Sequence, residues 1–91
     1  MSVAIRMRRK LEAAFQPLKL EIVDESALHA GHAGARPGGE SHFRLILVAA
    51  AFAGQPRLAR QRRVNEALAE ELRGSVHALA MTVLAPGEPG A

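Results

Sequence analysis

The chain contains no cysteine, no tryptophan and no tyrosine, and only three phenylalanines, Phe15, Phe43 and Phe52, among its 91 residues. Without cysteine there is no disulfide framework, no thiolate zinc site, no Cys-x-x-Cys redox pair and no thiol nucleophile, so imidazole is the one strong soft-metal ligand left. Three scattered aromatic rings do not make the stacking platform that single-strand binders use. Long apolar runs are missing too: the longest, Leu45 to Ala53, has 9 residues, far below the roughly 20 that cross a bilayer. No signal-peptide pattern opens the chain, and the expectation is a soluble, cytoplasmic protein without membrane contact. An excess of charge is also small, 12 Lys plus Arg against 9 Asp plus Glu, or 12 − 9 = +3. At this length a single domain is expected, one that buries about 60% of its unfolded surface.

What is present reads as an alternation of helices and strands. Ser2 is a helix N-cap, and Ala4, Met7, Leu11, Ala14, Phe15 and Leu18 follow at helical spacing, which predicts a first helix over about residues 2–15, ended by Pro17. An Arg-rich amphipathic start also resembles a mitochondrial presequence, but Glu12 is atypical of one and the apolar stripe suits a core. Leu18 to Ile22 alternates with period two and stops near Asp24, a strand with one buried face. Residues 27–39 hold 4 glycines and a proline and read as a long loop, a length that compact domains usually reserve for function or leave disordered. His42 to Ala50 reads as a central strand. Gly54-Gln55-Pro56 breaks it, a short turn over Arg57 to Arg60 can precede a long helix with Val64, Leu68 and Leu72 inward, and Gly74 ends that helix. Glu70, Glu71, Arg62 and Arg63 are expected toward solvent or beside the stripe. Val76 to Leu84 is the last strand. The expected fold is α/β (α+β), in the order α-β-β-α-β with room for a short extra helix, a three-stranded mixed sheet packed on helices. The domain should span residues 1–85, with 86–91 as a flexible tail.

Topology then places the histidines. If the first two strands are antiparallel and the third is parallel to the second across a right-handed crossover, the end of the first strand and the starts of the other two share one sheet edge. His42 and His77 belong to that edge, and His29 and His32 sit on the loop that springs from it. Neutral imidazoles gathered at one rim suit a metal whose remaining ligands come from elsewhere. Blander roles stand beside this one: His42 hydrogen-bonded at a strand start, His32 solvated on the loop, and His77 satisfied within the core on the face of Leu79, Met81 and Val83. No catalytic constellation is apparent, since nothing positions Ser26, Asp24 and His29 as nucleophile, orienter and base, and no Gly-rich phosphate loop joins a strand to a helix. The expectation is that the protein is not an enzyme.

Basic residues cluster twice, at Arg6, Arg8, Arg9 and Lys10 and at Arg57, Arg60, Arg62 and Arg63. The cheaper reading of each cluster is a solvated helix face, the sharper one a nucleic-acid or protein contact.

Several segments occur together that carry a resemblance: Leu20-Glu21-Ile22-Val23-Asp24-Glu25-Ser26, Gly39-Glu40-Ser41-His42-Phe43, Arg60-Gln61-Arg62-Arg63-Val64-Asn65 with Leu68 and Glu70-Glu71-Leu72, and Val76-His77-Ala78-Leu79-Ala80. From about Ile5 to Leu84 the chain resembles BolA-family proteins of the histidine-loop type. The resemblance implies a class II KH-like fold and a monothiol glutaredoxin partner with which a bridging 2Fe-2S cluster is shared. In such a complex the glutaredoxin cysteine and glutathione supply sulfur, and the BolA side supplies the histidine of Val-His-Ala-Leu and one from the loop after Asp-Glu-Ser. By position these are His77 and His29, with His32 as the loop alternative. The isolated chain would then carry no cofactor and be a monomer or weak homodimer. The family's Arg-His-Arg appears here as Arg60-Gln61-Arg62, and its Pro-x-Glu-Trp as Pro86-Gly87-Glu88-Pro89, without the aromatic. Some relatives are described as transcriptional regulators, which makes DNA the alternative partner, contacted through Arg57, Arg60, Arg62 and Arg63. Gly54-Gln55-Pro56-Arg57 is, however, a poor Gly-x-x-Gly backbone clamp, because it lacks the second glycine and Pro56 has no amide hydrogen.

Overall fold

The computed structural model describes residues 2–26 and 39–91. Helix α1 (Val3–Phe15) is followed by strand β1 (Lys19–Asp24), strand β2 (His42–Val48), a 3-10 turn (Ala50–Phe52), helices α2 (Arg57–Ala67) and α3 (Ala69–Arg73), and strand β3 (Ala78–Leu84). The sheet order is β1-β2-β3, with β1 antiparallel and β3 parallel to β2. This is the mixed three-stranded sheet anticipated from the pattern.

The buried residues explain why these segments fold as they do. Val3, Met7, Leu11 and Phe15 of α1 meet alternate residues Phe43, Leu45 and Leu47 of β2, and Phe52, Val64, Leu68 and Val83 complete the core. Spacings of 4 along α1 and of 2 along β2 are the periods that aim side chains to one face of each element. Ala14 and Leu18, placed on the helical stripe from spacing, are instead exposed. The helix ends at Gln16 in the left-handed region (φ 47°), so Leu18 no longer follows the helical phase. The N-terminus of α1 is capped twice. Ser2 Oγ accepts the Ile5 N–H at 3.1 Å, and the Glu40 carboxylate accepts those of Val3 and Ala4 at 3.3 and 3.2 Å.

The second half differs from expectation in detail. Strand β2 stops at Val48 and the apolar residues that follow form the 3-10 turn. The Arg57–Arg60 turn is the first turn of α2, and the extra helix arises from a break at Leu68 (φ −106°, ψ 17°). Strand β3 starts at Ala78 rather than Val76, because the chain there still closes the end of α3: Gly74 N–H donates to Glu70 O and Glu71 O, and Val76 N–H to Glu71 O. Glu71, expected outside, is buried on α3 beneath two cations of α1. Lys10 Nζ lies 3.0 and 2.7 Å from its two oxygens, and Arg6 Nε lies 3.7 Å from Oε2, an ionic rather than a hydrogen-bonded distance. Lys10 is held above its ordinary pKa by its bonds to Glu71 and Glu70.

The segment 86–91, expected as a flexible tail, contains an anchored residue. Glu88 accepts the Ala85 N–H at 2.7 Å and grips Arg60 with both oxygens.

Candidate functional site: the histidine rim

The rim is built where β1 ends and β2 and β3 begin. Asp24, the last residue of β1, accepts the N–H of Ser26 through Oδ1 and that of Glu40 through Oδ2, both at 2.9 Å. One carboxylate therefore holds together the two chain ends that flank residues 27–38. Burial would raise its pKa, but hydrogen bonds from the Ser26 side chain and from the Ser26 and Glu40 amides, with the charge of nearby His42, outweigh this and leave it lowered. Gly39 is required at this joint. Its φ is +80°, and a Cβ there would stand 2.8 Å from Asp24 Oδ2.

A layer deeper, two buried serines continue the network. Ser26 Oγ accepts the N–H groups of Ser41 at 3.0 Å and His42 at 3.2 Å. Ser41 is fully buried and serves both rim histidines: its Oγ is 2.9 Å from His42 Nδ1, and its carbonyl accepts the His77 N–H at 2.7 Å. His42, 6% exposed, pairs in register with Ala78, so His77 directly precedes the partner of His42 on the neighbouring strand. The two imidazole centroids are 5.3 Å apart and inclined at 49°.

Topology thus brings His42 and His77 together as anticipated. His77 is exposed, not a core histidine. His29 and His32 lie outside the described residues. Among the described residues, no group of three or more His, Asp or Glu side chains is arranged to hold a metal ion. What the rim offers chemically is a pair of imidazoles, borderline ligands suited to iron, zinc, copper or nickel. The sequence names Ser26, Glu40 and Ser41 in its motifs but assigns them no part in holding the rim. The available signal was Asp24-Glu25-Ser26, an aspartate followed two residues later by an amide it can bond, a common loop-closing device.

At the opposite end of the strands the arginine cluster divides in two. Arg60, 8% exposed, donates from Nε to Gln55 O at 2.8 Å and from Nη1 to Val83 O at 3.2 Å, and its Nη1 and Nη2 meet the Glu88 oxygens at 2.6 and 2.8 Å. Glu88 is pulled down to about 2 by Arg60 first and by the Ala85 amide second. Arg63 Nη1 donates to Ala51 O and Gln55 Oε1 at 2.9 and 3.2 Å, while its guanidinium lies over the Phe15 and Phe52 rings at 5.2 and 5.5 Å. Arg60 is therefore buried with its donors on carbonyl and carboxylate acceptors, which does not suit the partner contact that the sharper reading of the cluster gave it, whereas Arg63 is half-buried with Nη1 occupied. Arg57 and Arg62 are exposed. Arg57, Gln55 and Gln61 border a pocket of about 480 Å³ against Met81, Val83 and Leu84 of the β3 edge.

A small mixed-sheet domain with a histidine rim at the strand starts is the class that these observations define. The BolA-like protein family profile matches residues 11–88, and the chain belongs to that family. It is 48% identical over 81 residues to the DNA-binding transcriptional regulator BolA of Escherichia coli, covering 89% of this chain and 73% of that one. Among solved structures it resembles BolA1 from Arabidopsis thaliana, at TM-score 0.82 and 36% identity with 93% of each chain covered. The BolA domain of SufE1 from the same plant matches at TM-score 0.82 and 37% identity, covering 94% of this chain and 95% of that one.

Proposed function

We propose that the protein is a non-enzymatic iron-sulfur adaptor that pairs with a monothiol glutaredoxin and co-ligates a bridging 2Fe-2S cluster. The observation that carries this reading is the exposed imidazole of His77 at a rigid rim, beside His42, with the chain ends of the histidine-bearing segment 27–38 tied to the same place by Asp24. The donor set suits such a cluster, since imidazole ligates iron and a partner's thiolates complete a mixed nitrogen and sulfur shell. On this chain His77 would be one ligand and His29 the other, with His32 as its alternative. Bound, the cluster supplies a redox-active and transferable iron centre. The chain's own part is to hold His77 in place through the Ser41 carbonyl and to close the base of the histidine-bearing segment. Occurrence of a BolA domain within SufE1 is in keeping with this class of role.

The test is reconstitution of the chain with a monothiol glutaredoxin, glutathione, iron and sulfide. A heterodimer is expected, with a visible circular dichroism spectrum distinct from that of the glutaredoxin homodimer. If His77→Ala leaves that spectrum unchanged, the ligand assignment is wrong.

A second reading, a DNA-binding regulator, is favoured by the description of the Escherichia coli relative and by the exposed Arg57 and Arg62. It requires duplex affinity that falls steeply with salt. Absence of any shift at low salt removes it.

A further inference from the structure

The two edges of the sheet are protected unequally. Strand order leaves β1 and β3 each with one unpaired side. β1 follows Pro17 and carries Lys19 and Glu21, paired at 3.4 Å, and charges and prolines of this kind keep an edge from pairing with another chain. β3, Ala78-Leu79-Ala80-Met81-Thr82-Val83-Leu84, has neither charge nor proline. Its hydrogen-bond phase is fixed by the Ala78 N–H on Ser41 O and the Ala49 N–H on Leu84 O. Ala78, Ala80, Thr82 and Leu84 therefore turn their backbone groups to β2, and Leu79, Met81 and Val83 turn theirs to the open side. Among the described residues, only the Val83 carbonyl is taken there, by Arg60 Nη1. We propose that the open edge of β3 is a docking site for an extended, acidic segment of a partner protein, which adds a strand to the sheet and places a side chain in the pocket beside α2.

The pocket of about 480 Å³ lies directly against this edge, between Met81, Val83 and Leu84 on one side and the start of α2 on the other. An extended backbone supplies the N–H and C=O groups that Leu79 and Met81 lack, in the strand-addition mode in which alternate side chains enter pockets. Met81, unbranched and polarizable, adapts its shape to what enters. Charge selects the occupant. Arg57 stands at the pocket wall, exposed and without an ion-pair partner among the described residues, whereas Arg60 beside it is neutralised by Glu88. Helix α2 has no acidic residue in its first turn and no side-chain cap at Pro56, so its positive end at the same wall is uncompensated. A carboxylate on the incoming strand meets both. A second β3 fits less well, since it offers Arg57 no acidic residue. A nucleic-acid strand would find one free arginine at this wall, where phosphate binding draws on several cations.

The pocket lies toward the end of β3 away from the rim, and docking there needs neither a cluster nor a glutaredoxin, so its failure leaves the cluster-sharing role untouched. The probe is a capped peptide matching the 7 residues of β3 in length, alternating valine with serine, its central valine replaced by glutamate so that glutamate and valine share a face. Titrated into the full chain, it should shift the amides of Leu79, Met81 and Val83 and slow their exchange with solvent, with the Ser41 and His42 amides unmoved. N-methylation of the peptide's backbone amides, which keeps its side chains, should abolish binding. Arg57→Glu should weaken the glutamate peptide about fivefold or more and favour a lysine counterpart by a similar factor. Met81→Pro, which removes an outward N–H and none facing β2, should weaken binding as strongly; should this variant fail to fold, N-methylation and Arg57→Glu decide. The proposal is overturned if the methylated peptide binds equally, if Arg57→Glu leaves both affinities unchanged, if the shifts map to the rim, or if no amide moves at millimolar peptide. It is also overturned if single-stranded DNA of the same length moves these amides at lower concentration, or if they shift with protein concentration alone, which would assign the edge to a second copy.

Discussion

The two ends of the sheet use polar residues in opposite ways. At the starts of β2 and β3, the Asp24 carboxylate and the hydroxyls of Ser26 and Ser41 are taken up mostly by backbone amides and by one another, and an imidazole is left exposed at His77. At the far end, guanidinium groups are held by side chains and carbonyls of the fold: Arg60 pairs with Glu88 and donates to Val83 and Gln55, and Arg63 donates to Ala51 and Gln55 and lies over two aromatic rings. Charge is therefore a poor guide to which of these side chains face solvent. The far end commits the donors of Arg60 and part of those of Arg63 to the fold, whereas the rim is held by several hydrogen bonds to backbone amides.

The sharpest way to break this contrast is at Arg60. Arg60→Ala removes four hydrogen bonds, leaves the Val83 carbonyl without that donor, and releases Glu88. A drop of several degrees in melting temperature is expected, with the histidine rim unchanged in its amide spectrum. The pH dependence follows from Glu88. Its folded pKa of about 2 lies below the ordinary 4.5, so its contribution is fully present above about pH 4.5 and is lost as pH falls toward 2. Acid titration of the native chain should show this loss, and Arg60→Ala or Glu88→Gln should flatten it. If Arg60→Ala unfolds no more readily than the native chain, the cation is not structural.

Next in size is the rim itself. Ser26→Ala removes the acceptor for two buried N–H groups, those of Ser41 and His42, at a cost of about 1–3 kcal/mol for leaving buried donors unpaired. Denaturant unfolding measures the loss, and faster exchange of the Ser41 and His42 amides localises it. A change confined to stability, with both amides still protected, would show that Ser26 does not organise the rim. Gly39→Ala should cost about 1–3 kcal/mol, because a side chain is strained at positive φ and its Cβ meets Asp24 Oδ2. Its effect should be largest on the Glu40 amide, whose acceptor is that same carboxylate.

The sequence made the architecture legible because the core obeys simple periods. Met7, Leu11 and Phe15, then Phe43, Leu45 and Leu47, announce a helix and a central strand, and topology alone then brought His42 beside His77. Side-chain burial that depends on a distant partner was not legible. Glu71 lies on a helix whose pattern marks it as solvated, and its burial depends on Lys10 and Arg6 some 60 positions away in the chain. Arg60 is inward because Glu88 folds back to it, which no local pattern encodes. The Ser26 and Ser41 network was missed for a related reason, since each serine acts through backbone amides across the base of a long insertion.

The smallest effect on the fold is expected where the far end still faces outward. Arg57 and Arg62 are exposed, and substitutions away from buried networks usually stay within about 0.5 kcal/mol. Arg57→Ala with Arg62→Ala should therefore leave the melting temperature nearly unchanged. If the chain binds duplex DNA through α2, this pair alone must carry the contact, and the double variant should lose affinity and lower the salt dependence by about two phosphate contacts. Arg63→Ala, by contrast, should cost stability, because its guanidinium bridges the Ala51 carbonyl and the Phe15 and Phe52 rings. Direct loss of DNA contacts by Arg63→Ala in a stably folded chain would move Arg63 from the structural to the partner-facing arginines, against its hydrogen bonds to Ala51 and Gln55.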